Sequence, residues 1–133
     1  MPVRVPSQAQ PAKMGEVLVV AANQRVWVEP DGQIVMVDHS ETPKYTPCID
    51  DVMRDVADRF GAGATAIIFS GMAGDAVEGA VYLTTQGGEV WAQDPASCVV
   101  SSMVDGAKAR GVVEFIGSPR ELAERCVAKY ANG

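Results

Sequence analysis

Six residues, Ser70-Gly71-Met72-Ala73-Gly74-Asp75, stand between an apolar run and an amphipathic stretch, and they hold the groups in this sequence best suited to chemistry. Gly71 and Gly74 permit tight turning and close approach of backbone to a bound group. Free amides at the start of a following helix can hold an anion. Asp75 supplies a carboxylate at the same place. The spacing is neither G-x-G-x-x-G nor G-x-x-x-x-G-K-[ST], so a nucleotide site is weakly supported. The plain alternative is a tight strand-to-helix turn with Asp75 as the helix N-cap.

Nucleophilic catalysis asks for a nucleophile, a base and an orienting acid. The single histidine, His39, lies in a polar stretch where solvation is the ordinary state. No serine stands in G-x-S-x-G, and Ser70 and Ser97 read as turn or capping groups. Cys48, Cys98 and Cys126 are widely spaced with no C-x-x-C pair, which speaks for buried, reduced thiols rather than a zinc site or redox dithiol. No metal and no cofactor is expected. The residues by themselves supply an acid at a sheet edge, without a complete catalytic set.

The whole chain bounds what such a site can serve. Its 133 residues suit one domain, and 47% apolar with 21% charged residues is ordinary globular composition. A net charge of −6 lacks the basic footprint that nucleic acid or an anionic membrane surface requires. No apolar run approaches the roughly 20 residues that cross a bilayer. The N-terminus has no apolar signal core, so a cytoplasmic protein without membrane insertion is expected.

The elements that must hold the turn are readable from pattern. Residues 1–14, with three prolines and little to pack, read as a disordered tail before a domain at 15–133. Val17 to Ala22 is a short apolar run. Arg25–Glu29 and Gln33–Asp38 flank Pro30-Asp31-Gly32, a hairpin signal because Gly32 can take positive φ. A helix opens at Ile49 or Asp50, with Val52, Val56 and Phe60 as its expected inner stripe. Thr65–Phe69 reads as a buried parallel strand. A helix from Asp75 to Gln86 follows, with Ala76, Ala80 and Leu83 on one face. Then come a strand at Glu89–Gln93, a helix at Ser101–Arg110 and a strand at Val112–Ile116. Ser118-Pro119-Arg120-Glu121 is a strong helix start, and Leu122, Cys126 and Tyr130 form that helix's inner stripe. Trp27 and Trp91 are expected half-buried on strands. The sum is an α/β fold: a mostly parallel, doubly wound, Rossmann-like sheet with an N-terminal β-hairpin. Ligands of such sheets sit outside the strand C-termini, where the loops at Ser70–Asp75 and Gln93–Ser102 fall.

From Gly15 to Tyr130 the sequence resembles the C-terminal half of the catalytic domain of chemotaxis protein-glutamate methylesterases, the CheB family. Four blocks carry the resemblance, in order and spacing. Val20-Ala21-Ala22 before the hairpin is similar to "yiAPg". Thr46-Pro47-Cys48-Ile49-Asp50 is similar to "rPS[IV]D". Ile67 through Gly79, containing Ser70-Gly71-Met72-Ala73-Gly74-Asp75-Ala76, is similar to "viLTGMGxDGaxG". Gly88, Ala92-Gln93-Asp94-Pro95-Ala96-Ser97-Cys98-Val99-Val100, Met103 and Ala107 are similar to "Ga…aQdeasCvVfgMPreA". The third and fourth blocks together are specific.

The resemblance implies a serine hydrolase that removes methyl esters from glutamate side chains of chemoreceptors. It implies that Asp75 is the acid of a Ser-His-Asp triad and that Met72 lends its backbone amide to the oxyanion. The family's serine and histidine segments precede the matched region, so this polypeptide alone is expected to be inactive. Within the blocks, Ala73 and Ala76 replace glycines, and Ala76 lacks the positive-φ freedom a glycine would have. The implied partner is a methyl-accepting chemoreceptor or another chemosensory protein. A homodimer, or pairing with a missing N-terminal half, is expected to cover the edge left at Thr65–Phe69. A non-catalytic interaction or regulatory module of a chemosensory system, one controlling pili rather than flagella, is the alternative. An anion-binding α/β module using the amides after Gly71 is a third reading.

Overall fold

The strand expected to be buried over Thr65–Phe69 forms at Thr65–Ile68, where only Ile68 is buried and Phe69 beyond it is 48% exposed. With the two strands that follow, it makes one parallel sheet. The structure, a computed structural model, describes the backbone of residues 3–4, 10–11, 17–18, 25–30, 33–37, 49–70 and 76–130, with side chains for 17–18, 29–30, 49–70 and 76–130.

The N-terminal third supplies short strands. β1 (Val3–Arg4) pairs in parallel with β3 (Val17–Leu18). β2 (Gln10–Pro11) pairs with β5 (Gln33–Val37), which also takes β4 (Arg25–Val28) as an antiparallel partner. The sequence reading placed no element in residues 1–14, where β1 and β2 fall. The hairpin was legible: Arg25 faces Val37 and Val28 faces Ile34. Its Asp31-Gly32 turn and the Trp27 side chain lie outside the described residues.

Helix α1 (Ile49–Phe60) begins with Asp50 and Asp51 and ends with Arg59, the charge order that suits the helix dipole. Arg59 also ties α1 to the hairpin, donating from Nε to the Glu29 carbonyl at 3.3 Å and from a terminal nitrogen to the Pro30 carbonyl at 3.1 Å. The inner stripe differs from the expected one. Met53 and Ala57 are buried, whereas Val52 and Val56 are half-buried and Phe60 is 48% exposed. The reason is tertiary. α1 turns its Met53 face onto α2 (Val77–Thr85), and the crossing centres on Gly79. A Cβ on Gly79 would stand 2.8 Å from Met53 Cβ and 3.0 Å from Asp50 Cα. Only a glycine lets the two helices come this close.

β6 (Thr65–Ile68), β7 (Glu89–Gln93) and β8 (Val113–Gly117) lie in the order β6-β7-β8, all parallel. Among the described residues β6 pairs on one side only, with β7. Helix α2 buries Ala76, Ala80 and Leu83 as the pattern required. It ends in a left-handed residue, Gly87 at φ 91°, with Gly88 N–H bonded to the Leu83 carbonyl and Gly87 N–H to the Thr84 carbonyl. Helix α3 (Ser102–Ala109) adds Met103, Val104 and Ala107 to the same core, against Ile68, Val90 and Ala92 of the sheet. Burying one Leu- or Val-sized side chain contributes roughly 1.5–3 kcal/mol.

Helix α4 (Pro119–Tyr130) covers Trp91 and Phe115. Its start is the capping box read from sequence. Ser118 N–H donates to Glu121 Oε1 at 2.9 Å, and Glu121 N–H donates to Ser118 Oγ at 3.2 Å. Leu122 is buried, Cys126 is half-buried, and Tyr130 is 43% exposed while its hydroxyl donates to the Gly63 carbonyl at 3.2 Å. Trp91 corrects an expectation. It is not half-buried but 0% exposed, because it sits on the central strand beneath α4, with the Arg125 guanidinium 5.1 Å from its ring centre. Cys98 and Cys126 are free and half-buried rather than buried. Cys48 lies outside the described residues.

Candidate functional site

Both loops singled out from the sequence leave the C-terminal edge of the parallel sheet, and one side chain joins them. Gln93, the last residue of β7, is 8% exposed and uses both ends of its amide. Its Oε1 accepts the Ser70 N–H at 3.1 Å. Its Nε2 donates to the Ser97 carbonyl and to Ser97 Oγ, each at 3.1 Å. Ser70 Oγ in turn accepts the Val100 N–H at 3.2 Å. Two hydrogen bonds thereby hold the end of β6 to the end of β7 and its following loop, and two more fold that loop onto Gln93.

The loop after β7 is itself built locally. Asp94 accepts the Ala96 N–H at 3.0 Å, and Ser97 Oγ donates to the Asp94 carbonyl at 2.8 Å. Asp94 N–H donates to the Gly117 carbonyl at 2.8 Å, which fastens this loop to the end of β8. The Ser97 and Ser70 hydroxyls are thus engaged in turn and loop contacts.

The two residues named as site residues, Asp75 and Met72, fall in 71–75, outside the described residues, as does His39. The residues that bracket them are placed. Ser70 is held by Gln93 and Val100 as above. On the far side, Ala76 rather than Asp75 occupies the N-cap position of α2. Its φ is 78°, the only positive φ of a non-glycine residue among those described. A left-handed backbone costs an alanine about 1–2 kcal/mol, and Ala76 keeps it while 1% exposed.

An alanine N-cap has no side-chain acceptor for the free amides of the first helical turn. The acceptor comes from another helix. Gly79 N–H donates to Asp50 Oδ1 at 2.7 Å. Asp50 stands in the first turn of α1, so its carboxylate meets the N-terminal ends of two helices at once. In the sequence Asp50 reads only as a helix start within a motif, with no sign of its bond to the second helix. Gln93 likewise reads only as a motif residue, although an amide closing an otherwise apolar strand was the available signal.

The shifted carboxyl and ammonium titrations lie elsewhere. The Lys129 ammonium hydrogen-bonds Glu89, holds its carboxyl below the usual range and is itself raised by that bond, while Glu114 is raised by its hydrogen bond to Glu89. Glu89 opens β7, so this network marks the opposite end of the sheet and reads as a fastening of α4 rather than a reaction centre. Among the described residues no group of His, Cys, Asp and Glu side chains could hold a metal ion, and no helix is long and apolar enough to cross a membrane.

Parallel strands with helical crossovers and two loops tied at the strand C-termini define an α/β domain of the doubly wound class. The model of the CheB methylesterase family matches residues 1–126, and the chain belongs to that family. It is 34% identical over 126 residues to a protein-glutamate methylesterase/protein-glutamine glutaminase 3 of Anaeromyxobacter dehalogenans, covering 94% of this chain and 37% of that one. It is 30% identical over 102 residues to the corresponding protein of Shewanella frigidimarina, covering 77% and 26%. The crystal structure of the Thermotoga maritima CheB methylesterase catalytic domain superposes with a TM-score of 0.83 at 20% identity, over 92% of this chain and 66% of that one. The likeness to that structure concerns the fold. The chain spans little more than a third of the length of the first of these relatives, and the family match reaches into residues 1–14.

Proposed function

We propose that this chain carries the acidic arm of a methylesterase site that hydrolyses glutamate methyl esters on chemoreceptors. In this reading Asp75 holds a histidine in one tautomer and stabilises the imidazolium formed when a serine attacks the ester carbonyl. The Met72 amide donates to the oxyanion that develops. Serine and histidine come from residues outside this polypeptide, so the 133 residues alone release no methanol. The reading includes a cytoplasmic setting in a signalling array, and a second polypeptide segment or a second copy that covers the outer edge of β6.

The observation that carries this reading is the backbone at Ala76. The resemblance puts a glycine there, directly after the triad aspartate, and this chain takes positive φ at that position although alanine makes it costly. A module that had given up chemistry would be free to relax that residue. The strained backbone at Ala76 favours the enzyme over the non-catalytic chemosensory module.

The test replaces the matching region of a relative's catalytic domain with residues 1–126 of this chain and measures methanol release from methylated receptor. The chimera is expected to turn over, and Asp75→Asn to lower its rate about 10³–10⁴-fold. An Asp75→Asn chimera as fast as its parent overturns the assignment. Methanol release by the 133-residue chain alone overturns the placement of serine and histidine outside it.

A further inference from the structure

Val99 is 94% exposed, more than any other large apolar side chain among the described residues. A lone exposed valine is ordinary. This one differs first in how its backbone is held. The residues on either side turn inward: Cys98 and Val100 are half-buried, and Cys98 packs against the core. Ser97 N–H donates to the Asp94 carbonyl at 2.9 Å, Cys98 N–H to the Pro95 carbonyl at 3.2 Å, and Val100 N–H to Ser70 Oγ at 3.2 Å. Gln93 Nε2 holds Ser97 from the strand. The chain is thus pinned before and after Val99, and the side chain forgoes the burial a valine ordinarily gains.

Val99 also has an apolar companion. Phe69, 48% exposed, immediately precedes Ser70, whose hydroxyl holds Val100, so the two side chains flank one hydrogen bond. Both stand at the C-terminal edge of the parallel sheet, where doubly wound folds take their ligands. The charge around them selects the partner. From Gln93 to Ala107 the charged residues are Asp94 and Asp105, both exposed and both anionic. Such a rim repels a carboxylate and leaves an uncharged ester unopposed.

We propose that Val99, with Phe69 beside it, is the apolar contact that seats the receptor polypeptide around its glutamate methyl ester, a specificity-determining residue outside the chemistry itself. This deepens the proposed function and rests on its choice of substrate. Hydrolysis turns the neutral ester into a carboxylate beside the same rim, so the surface that admits the substrate disfavours the product.

Titration of the isotope-labelled 133-residue chain with a methylated cytoplasmic fragment of a chemoreceptor reads the contact without turnover. The Val99 methyl resonances are expected to shift, and Val99→Ser to weaken binding about 10-fold. Val99→Ser is expected to leave the unfolding midpoint in place, because the side chain packs on little of its own chain. Val127→Ser, at a 62% exposed position on α4, is the control and is expected to bind like the parent. The fragment with free glutamates is expected to bind more weakly than the methylated one. In the chimera, Val99→Ser is expected to raise KM for methylated receptor about 10-fold while turnover of a small glutamate γ-methyl ester stays unchanged.

Parent-like binding by Val99→Ser, or no binding of the fragment to the parent chain, overturns the inference. Equal affinity for the methylated and free fragments does the same. A lower unfolding midpoint for Val99→Ser in the chimera would assign Val99 to the seam with the complementing segment, and equally overturns it. Failure of the proposed function appears instead as an Asp75→Asn chimera that is as fast as its parent, so the two failures are distinguishable.

Discussion

Gln93 Oε1 accepts the backbone N–H of Ser70 at 3.1 Å, so the last side chain of the central strand holds the residue that leaves its neighbour. The same amide donates twice to Ser97, which makes one buried group the junction of both loops at the strand C-termini. Gln93→Leu keeps the volume and strands the Ser70 amide and the Ser97 carbonyl. A loss of roughly 1–3 kcal/mol in denaturant unfolding is expected, with faster exchange at the Ser70 amide. Gln93→Glu keeps the acceptor, and is expected to retain Ser70 protection while loosening residues 94–100. A Gln93→Leu protein with unchanged stability and exchange would remove the junction from the account.

Ala76 and Ala80 are one helical turn apart and equally buried, yet they should answer differently to glycine. At Ala76 the relief of about 1–2 kcal/mol from a left-handed alanine opposes about 0.8 kcal/mol of lost methyl burial and about 0.4–1 kcal/mol of added freedom in the unfolded chain. Ala76→Gly is therefore expected to lie within about 0.8 kcal/mol of the parent. Ala80→Gly has no strain to relieve and is expected to cost about 1.5–2 kcal/mol. Equal losses in paired urea melts would mean that Ala76 carries no strain.

Gly79→Ala sets two effects against each other. Helix propensity favours alanine by about 1 kcal/mol, while crowding against Met53 and Asp50 costs about 1–3 kcal/mol. The neighbours at 2.8–3.0 Å are Met53 Cβ, Asp50 Cα and Met53 Sδ, of which the first two are rooted in backbone, so crowding should win. Net destabilisation is expected in thermal unfolding; a more stable variant would show that α1 and α2 separate freely.

The Glu89–Glu114–Lys129 network fixes a sign for pH. Glu89 titrates below its ordinary value because Lys129 bonds it, so its contribution is present above that ordinary value and is lost as pH falls through the depressed one. Lys129 is raised by the same bond, so its contribution is present below the ordinary lysine value and is lost as pH rises through the raised one. Glu114 is raised by its bond to Glu89, and stability is lost as pH climbs from its ordinary to its raised value. Glu114→Gln removes that last loss. Its Tm is expected to exceed the parent's near neutral pH and to match it near pH 3.5, where Glu114 is largely protonated in both folded and unfolded chains. A gain of the same size at both pH values would contradict the assignment.

What the sequence disclosed was local. Ser118 and Glu121 cap each other across three residues, and Ala76, Ala80 and Leu83 follow helical period, so both could be read directly. What it withheld was long-range. The inner face of α1 rotated from Val52 and Val56 to Met53 and Ala57 because α2 approaches at Gly79, a contact no spacing within 49–60 encodes. Asp50 and Gln93 act over sequence separations of 29 and 23 residues. Trp91 lost its expected exposure to a helix that begins 28 residues later in the sequence, at Pro119. The family blocks located the site before any of these contacts could assign work to its neighbours.

Tyr130 reaches back to Gly63, and Lys129 donates to Thr65 Oγ1 at 3.0 Å, across 67 and 64 residues of sequence. At a ribosomal pace of about 5–20 residues per second, those carbonyl and hydroxyl groups wait on the order of 3–13 seconds for their partners to be made. Trp91 stays uncapped for much of that interval, an apolar surface awaiting its roof. A nascent chain that stalls before residue 130 would therefore leave Trp91 without the cover that the last turns of α4 complete.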